Sequence, residues 1–336
     1  MTEPLRMGVL GIDHRHIFTQ IERMQAVGAE LVSWWSEGTP ETLDGFVKRY
    51  PDAPRHADQR AVLEDDSLDL ILIAAIPADR ADLAIAAMRH GKDVMTDKPG
   101  CTTLEQLANL RACVAQTGRI WSIDFSERFE VEAVTRASEL VQAGAIGEVI
   151  QTLGIGPHRL NRATRPDWFF QRERYGGILV DIASHQIDQF LHFTGASSAE
   201  ITLATAINQA HPGDPGLQDF GQIALQSGRS QGYIKVDWFT PDALPTWGDG
   251  RLFLTGTEGT LELRKYTDVG GRSGANHLFL VNGTRCEHID ATGAGYPYFA
   301  ALAHDIRTRE ATAMGQDHAF TVMELALNAQ AMAERT

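Results

Sequence analysis

Asp181, His185 and Asp188 stand four and three residues apart in the stretch Tyr175-Gly-Gly-Ile-Leu-Val-Asp181-Ile-Ala-Ser-His185-Gln-Ile-Asp188. On a helix, that spacing puts three side chains on one face. A carboxylate beside an imidazole fixes its tautomer and raises its basicity, as a proton-transferring histidine requires. A core histidine satisfied by a neighbouring acid has the same pattern. Asp97-Lys98-Pro99 follows an apolar strand pattern. A lysine at such a strand end faces the ligand crevice of an open α/β sheet, although an isolated Lys-Pro pair also suits a surface turn. His14-Arg-His16 offers two imidazoles at a spacing used by metal-dependent hydrolases, with His158, His185 and Asp188 as further ligands. That reading needs a (β/α)8 barrel and ranks last. Solvated imidazoles in a helix-entry loop are the plainer alternative, and no metal is expected.

The elements that must position these residues change character near residue 125. The first third alternates strands and helices. Strands are expected at Arg6 to Gly11, Glu30 to Trp35, Leu68 to Ile76, Asp93 to Thr96 and Arg119 to Asp124. Helices are expected at His16 to Val27, Pro40 to Tyr50, Arg80 to His90 and Thr103 to Thr117. The apolar run from Leu68 suits a strand covered on both faces. This rhythm predicts a doubly wound parallel sheet over residues 1–124. Beyond it, period-two alternation at Glu148 to Gly154, Ala199 to Asn208, Gly221 to Gln226 and Tyr233 to Phe239 predicts a mostly antiparallel open sheet in an α+β domain over residues 125–336. The long loop from Gly156 to Gly176 is rich in arginine and aromatic residues. His158, Arg162, Arg165 and Trp168 in it are candidates for holding a substrate, Trp168 by stacking on a sugar face. Trp168 and Phe169 could equally pin the loop to the core.

The first turn is where a dinucleotide fingerprint, G-x-G-x-x-G, belongs. Gly11 is present, but Asp13 and His16 occupy the other two glycine positions. Asp13 brings a negative charge towards a pyrophosphate. Ser36 stands where a ribose-binding acid is expected, with Glu37 next and no arginine close behind in sequence.

The bulk numbers exclude some partners. A formal net charge of −14 argues against nucleic acid or an anionic membrane. The longest apolar run is too short to span a bilayer. Cys101, Cys113 and Cys286 form no C-x-x-C pair, and Met1-Thr-Glu-Pro-Leu-Arg-Met-Gly has no signal-peptide pattern, so a reducing cytoplasmic setting is expected.

Several segments, in order, resemble the glucose–fructose oxidoreductase / inositol dehydrogenase / MocA (Gfo/Idh/MocA) family. Val94-Met-Thr-Asp97-Lys98-Pro99 is similar to its Glu-Lys-Pro segment. Ser126-Glu-Arg128-Phe129 and Ala143-Gly-Ala-Ile-Gly147-Glu-Val resemble the opening of its second domain. Gly176-Gly177 through Asp188 resembles its catalytic helix, and Gly256-Thr-Glu-Gly259-Thr-Leu and the helix from Gly315 to Ala329 also fit. The resemblance implies a Rossmann-type nicotinamide-binding domain, with NAD or NADP held by Gly11, Ile12, Asp13, His14, Ser36, Glu37, Ile76, Pro77, Asp97 and Lys98. It implies Lys98, Asp181 and His185 as the catalytic group, and a second domain whose sheet builds a homodimer or homotetramer. The chain departs from the family's pattern at Asp13 and His16, at Pro77-Ala78-Asp-Arg-Ala81, and at Ser126-Glu127.

The expected reaction is hydride transfer between the nicotinamide and a secondary alcohol of a sugar, cyclitol or polyol. His185, oriented by Asp181 or Asp188, takes the proton and Lys98 stabilises the oxygen, or the two exchange roles. Asp181, His185, His158, Arg165 and Trp168 form the expected substrate side. The alternatives are a lyase or glycosidase that recycles its NAD and a sensor or scaffold that has lost the cofactor.

Overall fold

The computed structural model describes residues 3–335. The chain folds as two compact units. The first comprises Met1–Asp124, Glu173–Gly176 and Pro297–Phe320; the second comprises Phe125–Arg172, Gly177–Tyr296 and Thr321–Thr336. The return of residues 297–320 to the first unit is a feature that a linear division at residue 125 does not contain.

The first unit is built on β1 (Leu5–Leu10), β2 (Ala29–Trp35), β3 (Leu70–Ile73), β4 (Asp93–Asp97) and β5 (Trp121–Asp124). The strands are all parallel, in the order β2-β1-β3-β4-β5. Every residue of β3 is fully buried, as its unbroken apolar run requires. The chain leaves β1 towards one edge and returns beyond it at β3. The carboxyl ends of these neighbours therefore form the switch point at which open α/β sheets bind ligands. Gly11 follows β1 with φ +79°, and a Cβ there would lie 2.4 Å from the Cβ of Ala75, so only glycine fits this turn. The helix His16–Ala26 starts directly after it. The helix Leu104–Thr117 is capped by Thr103, whose hydroxyl accepts from the Gln106 amide at 3.1 Å. Gln316 closes the exposed side of β5: its side chain donates to the Trp121 carbonyl and accepts from the Trp121 amide. A side-chain amide thus replaces a missing strand at the sheet edge.

The second unit carries eight strands: β6 (Val149–Pro157), β7 (Glu200–Ile207), β8 (Phe220–Ser227), β9 (Ser230–Asp237), β10 (Arg251–Gly256), β11 (Gly259–Arg264), β12 (His277–Asn282) and β13 (Cys286–Asp290). Their order is β13-β12-β11-β10-β6-β9-β8-β7, and only the β6–β9 pair is parallel. Along β9, Ile234 and Val236 are buried, as is Trp238 just past its end, whereas Tyr233 on the opposite face is exposed. The helix Glu132–Gln142 buries Val134, Ala137 and Leu140 in one cluster with Leu252, Leu254, Leu261, Leu263, Leu278 and Leu280 of the sheet. The helix Ala183–Thr194 crosses the sheet where glycines leave room for it. A Cβ at Gly154 would lie 2.7 Å from Gln186, and one at Gly232 would lie 2.7 Å from Phe190. The sequence reads as one helix from Asp181 to Asp188. The structure instead divides it at Ile182 into Ile178–Asp181 and Ala183–Thr194. No described helix is long and apolar enough to cross a membrane.

Candidate functional site

Asp97 ends β4 and is completely buried. His14 Nδ1 lies 3.0 Å from its Oδ2, His16 Nδ1 lies 2.8 Å from its Oδ1, and Arg80 donates to Oδ2 at 2.9 Å. Burial alone would raise this carboxyl, but the Arg80 guanidinium and the two imidazoles hold it well below the usual carboxylate range. Partial burial and the neighbouring His16 push the His14 imidazole below its ordinary value. A neutral ring donating Nδ1–H to Asp97 satisfies both groups.

Arg80 is itself fully buried. It donates to the carbonyls of Ala75 at 2.8 Å, Asp97 at 3.0 Å and Pro99 at 3.1 Å, and also to that of Lys98. One guanidinium therefore fixes the turn that carries Lys98, which is buried directly after β4. Nothing local in the sequence marks this role; Arg80 is one residue of the departure from the family's pattern at Pro77-Ala78-Asp-Arg-Ala81. Ile76 and Pro77 lead from β3 into the short 3-10 turn Pro77–Asp79.

His14, His16 and Asp97 bring potential metal ligands within 4.8 Å of one another. Arg80 already supplies the positive charge that Asp97 needs, and the sheet is open and five-stranded rather than a closed barrel. The metal-dependent hydrolase reading therefore falls on architecture.

The dinucleotide positions fit an NAD-type ligand with altered chemistry. The Gly11 turn precedes an 11-residue helix whose N-terminus faces this turn. Burial raises the Asp13 carboxyl to about 6, opposed by Arg80, so it is protonated more readily than an ordinary aspartate yet stays mostly ionised at neutral pH. Ser36 Oγ accepts from the Ile12 amide at 3.3 Å. A cleft of about 570 Å³ at the end of β2 is lined by Trp35, Ser36, Glu37, Gly38, Arg55 and His56, among others. Arg55 donates to the carbonyls of Ser36 at 3.0 Å and Gly38 at 2.8 Å and lies over Trp34. An arginine thus does reach the end of β2, folded in from 19 residues downstream.

In the second unit, Asp181, His185 and Asp188 are all buried. Both oxygens of Asp188 accept from Arg128, each at 2.7 Å, and Arg128 also lies 3.3 Å from His192 Nδ1. Asp188 thereby ties the short helix Ser126–Phe129 to the long one. Asp181 is the other acid of the stretch.

Sequence reasoning missed the pair beside them. Glu127 and Lys265 are each 1% exposed. Glu127 Oε2 accepts from Lys265 Nζ at 2.6 Å and from Gln186 Nε2 at 3.0 Å. Burial would raise the Glu127 carboxyl, but Lys265, with His185 and His158 further off, brings it down to about 2. The only local signal was Ser126-Glu127 standing at a family Asn-Arg position.

The long loop meets this cluster through aromatic rings. His158 packs against Trp238 at 5.2 Å and Trp247 at 4.5 Å, and Trp247 meets Tyr266 at 4.6 Å. Arg165 donates to the carbonyls of Leu160 and Arg159 and lies over Phe169 and Trp238. Arg162 pairs with Asp214. Phe169 is buried and pins the loop, while Trp168 is half-buried. The structure thus gathers His158, Arg165 and the Glu127 cluster in the second unit, and Lys98 lies in the first.

Residues 5–125 match the oxidoreductase family with an NAD-binding Rossmann fold, and residues 134–262 match the GFO/IDH/MocA C-terminal domain. A solved protein from Erwinia carotovora atroseptica SCRI1043, provisionally described as an oxidoreductase, is 42% identical, with a TM-score of 0.95 and 98% of each chain covered. Levoglucosan dehydrogenase in complex with NADH and L-sorbose shares the fold at a TM-score of 0.80 and 19% identity, over 99% of this chain and 98% of that one. The scyllo-inositol 2-dehydrogenase (NAD(+)) of Bacillus subtilis (strain 168) is 27% identical over 206 residues, which is 61% of this chain and 57% of that protein. The chain spans about half the length of the curated relatives it matches, 57% of that inositol dehydrogenase and 52% of a levoglucosan dehydrogenase. With its two halves matching the two domains in order, the chain belongs to the GFO/IDH/MocA family of oxidoreductases.

Proposed function

We propose that the protein is an NAD(P)-dependent oxidoreductase acting on a secondary alcohol of a neutral sugar, cyclitol or related polyol. The observation that carries this reading is His185, a buried imidazole in a charged cluster, in a chain whose other half presents the Gly11 turn and the Ser36 cleft. When bound, the nicotinamide supplies the hydride acceptor. His185 takes the hydroxyl proton as the carbon loses hydride, and Asp181 orients the imidazole. Lys98 is assigned to the negative charge that develops on the oxygen.

His158 and Trp168 are assigned to the substrate. A neutral substrate is favoured because Arg162 is paired with Asp214 and Arg165 is held by carbonyls and rings, so neither arginine is set up to receive a carboxylate. The names of the relatives, a scyllo-inositol dehydrogenase and a levoglucosan dehydrogenase, support the same substrate class. We assign the protein to the cytoplasm, in keeping with three unpaired thiols. A homodimer or homotetramer would cover Leu203, Tyr233 and Val281, exposed apolar residues of the second sheet.

The test is reduction of NAD or NADP by a panel of neutral cyclitols and sugars. Net release of reduced cofactor supports the reading. Turnover without net release points to the NAD-recycling lyase or glycosidase, and no stabilisation by either cofactor points to the sensor.

A further inference from the structure

The Glu127–Lys265 pair is an unusual use of core space. Taking both charges out of water is costly, and apolar residues of similar volume are often as stabilising or more so. Lys265 Nζ and Gln186 Nε2 both bind Oε2 of Glu127, while Oε1 is buried with no hydrogen-bond partner among the described residues. Lys265 offsets part of the carboxylate's field from the Oε2 side, and in a low-dielectric core the remainder still reaches neighbouring groups. Gln186, which anchors this carboxylate, is the residue after His185 on the helix Ala183–Thr194. On the other side, Phe125, two residues before Glu127, meets the His185 ring at 6.3 Å in an edge-on contact. Glu127 is thus bonded to the residue after His185, and the segment that carries it meets the His185 ring through Phe125.

We propose that Glu127, held in place by Lys265 and Gln186, is a positioning residue for His185: its charge favours the imidazolium that forms when His185 accepts a proton. The role given to His185 rests on the oxidoreductase reading, but the electrostatic coupling does not. Several elements of this unit bring charged and titratable groups towards the helix that carries His185. Its own helical stretch supplies Asp181 and Asp188, and Asp188 is bound by Arg128. The helix Ser126–Phe129 supplies Glu127 and Arg128, β6 leads into His158, and β11 leads into Lys265 and Tyr266. Burial, with Glu127 and Glu130, pushes the Tyr266 hydroxyl well above its ordinary range, so it stays neutral. Coulombic coupling between Glu127 and both His185 and His158 accompanies the geometry. Lys265 has a second effect: by neutralising part of the Glu127 charge, it makes the field of the pair at the imidazole weaker than that of Glu127 alone.

The experiment is a histidine NMR titration of the full chain without cofactor, with the His185 resonance assigned by its loss in His185→Ala. Glu127→Gln should lower the His185 titration midpoint by about one pH unit, the lower end of what an opposite charge at close range produces. Lys265→Met should raise it. Each single variant strands a buried charge or amide and can unfold, so the double variant Glu127→Gln/Lys265→Met, which removes both charges at nearly constant volume, is titrated as well. Its midpoint should also fall, by less than in Glu127→Gln. A His185 midpoint unchanged in the double variant, or rising in Glu127→Gln, overturns the proposal. Because no turnover is measured, failure of the oxidoreductase reading would leave this titration result standing.

Discussion

Asp97 in the first unit and Glu127 in the second are two solutions to one problem, a carboxylate sealed in a core beside histidine. Each has a buried cation, Arg80 for Asp97 and Lys265 for Glu127. Asp97 is saturated: both oxygens are taken, by two imidazoles and a guanidinium. Glu127 has one oxygen bound twice and the other bound by nothing. The cations differ in the same sense. Arg80 spreads its fork over Asp97 and four backbone carbonyls, whereas Lys265 is a point charge directed at one oxygen of Glu127. A saturated carboxylate locks a turn, here the one that bears Lys98. An unsaturated one keeps its field available to a neighbour, here His185.

Breaking the lock should have the larger effect on stability. Arg80→Ala leaves Asp97 buried without its cation and frees four carbonyls, and should cost about 3–5 kcal/mol in chemical denaturation. Arg80→Lys should recover little, because an ammonium cannot reproduce the fork. Full recovery by lysine would show that charge alone matters at this site.

Acid should reveal both carboxylates. Their folded-state values are depressed, Glu127 to about 2 and Asp97 well below the usual range. The stability they contribute is therefore fully present above the unfolded carboxylate value of about 4 and is lost as pH falls through the folded values. Denaturation midpoints should hold from neutral pH to about 5 and fall between about 4.5 and 2. The decline should be shallower in Glu127→Gln/Lys265→Met, and an unaltered acid slope there would contradict the assignment of Glu127 as ionised.

A smaller effect separates the packing of the second cluster from its charge. Gly154→Ala places a Cβ 2.7 Å from Gln186 Cγ, which must move and carry its hydrogen bond to Glu127 with it. The expected cost is about 1–3 kcal/mol with the charges intact. A neutral outcome in thermal unfolding would mean that Gln186 has slack, and that Glu127 is held by Lys265 alone.

How much of this was legible in the sequence follows from range. The strand-helix rhythm up to Asp124, the Gly11 turn and the Asp97-Lys98-Pro99 strand end are local patterns, and each is found where its pattern places it. The spacing of Asp181, His185 and Asp188 also marked a real stretch, but periodicity could not show the break at Ile182 or the capture of Asp188 by Arg128, 60 residues away. Glu127 and Lys265 are 138 residues apart, and neither carries a pattern of its own. Arg55 reaches Ser36 only because the chain after the helix Leu43–Arg49 folds back to form a bridge with Trp34. What tertiary folding alone brings together leaves no spacing to read. Departures from the family's pattern, at His16, Arg80 and Glu127, were the one indirect sign.

The most direct test of the account is the rate of cofactor reduction by an accepted polyol in the wild type and in His185→Ala, measured beside cofactor binding. Binding should be nearly unchanged and turnover lower by about two to four orders of magnitude in the variant. Equal turnover in the two proteins would contradict it.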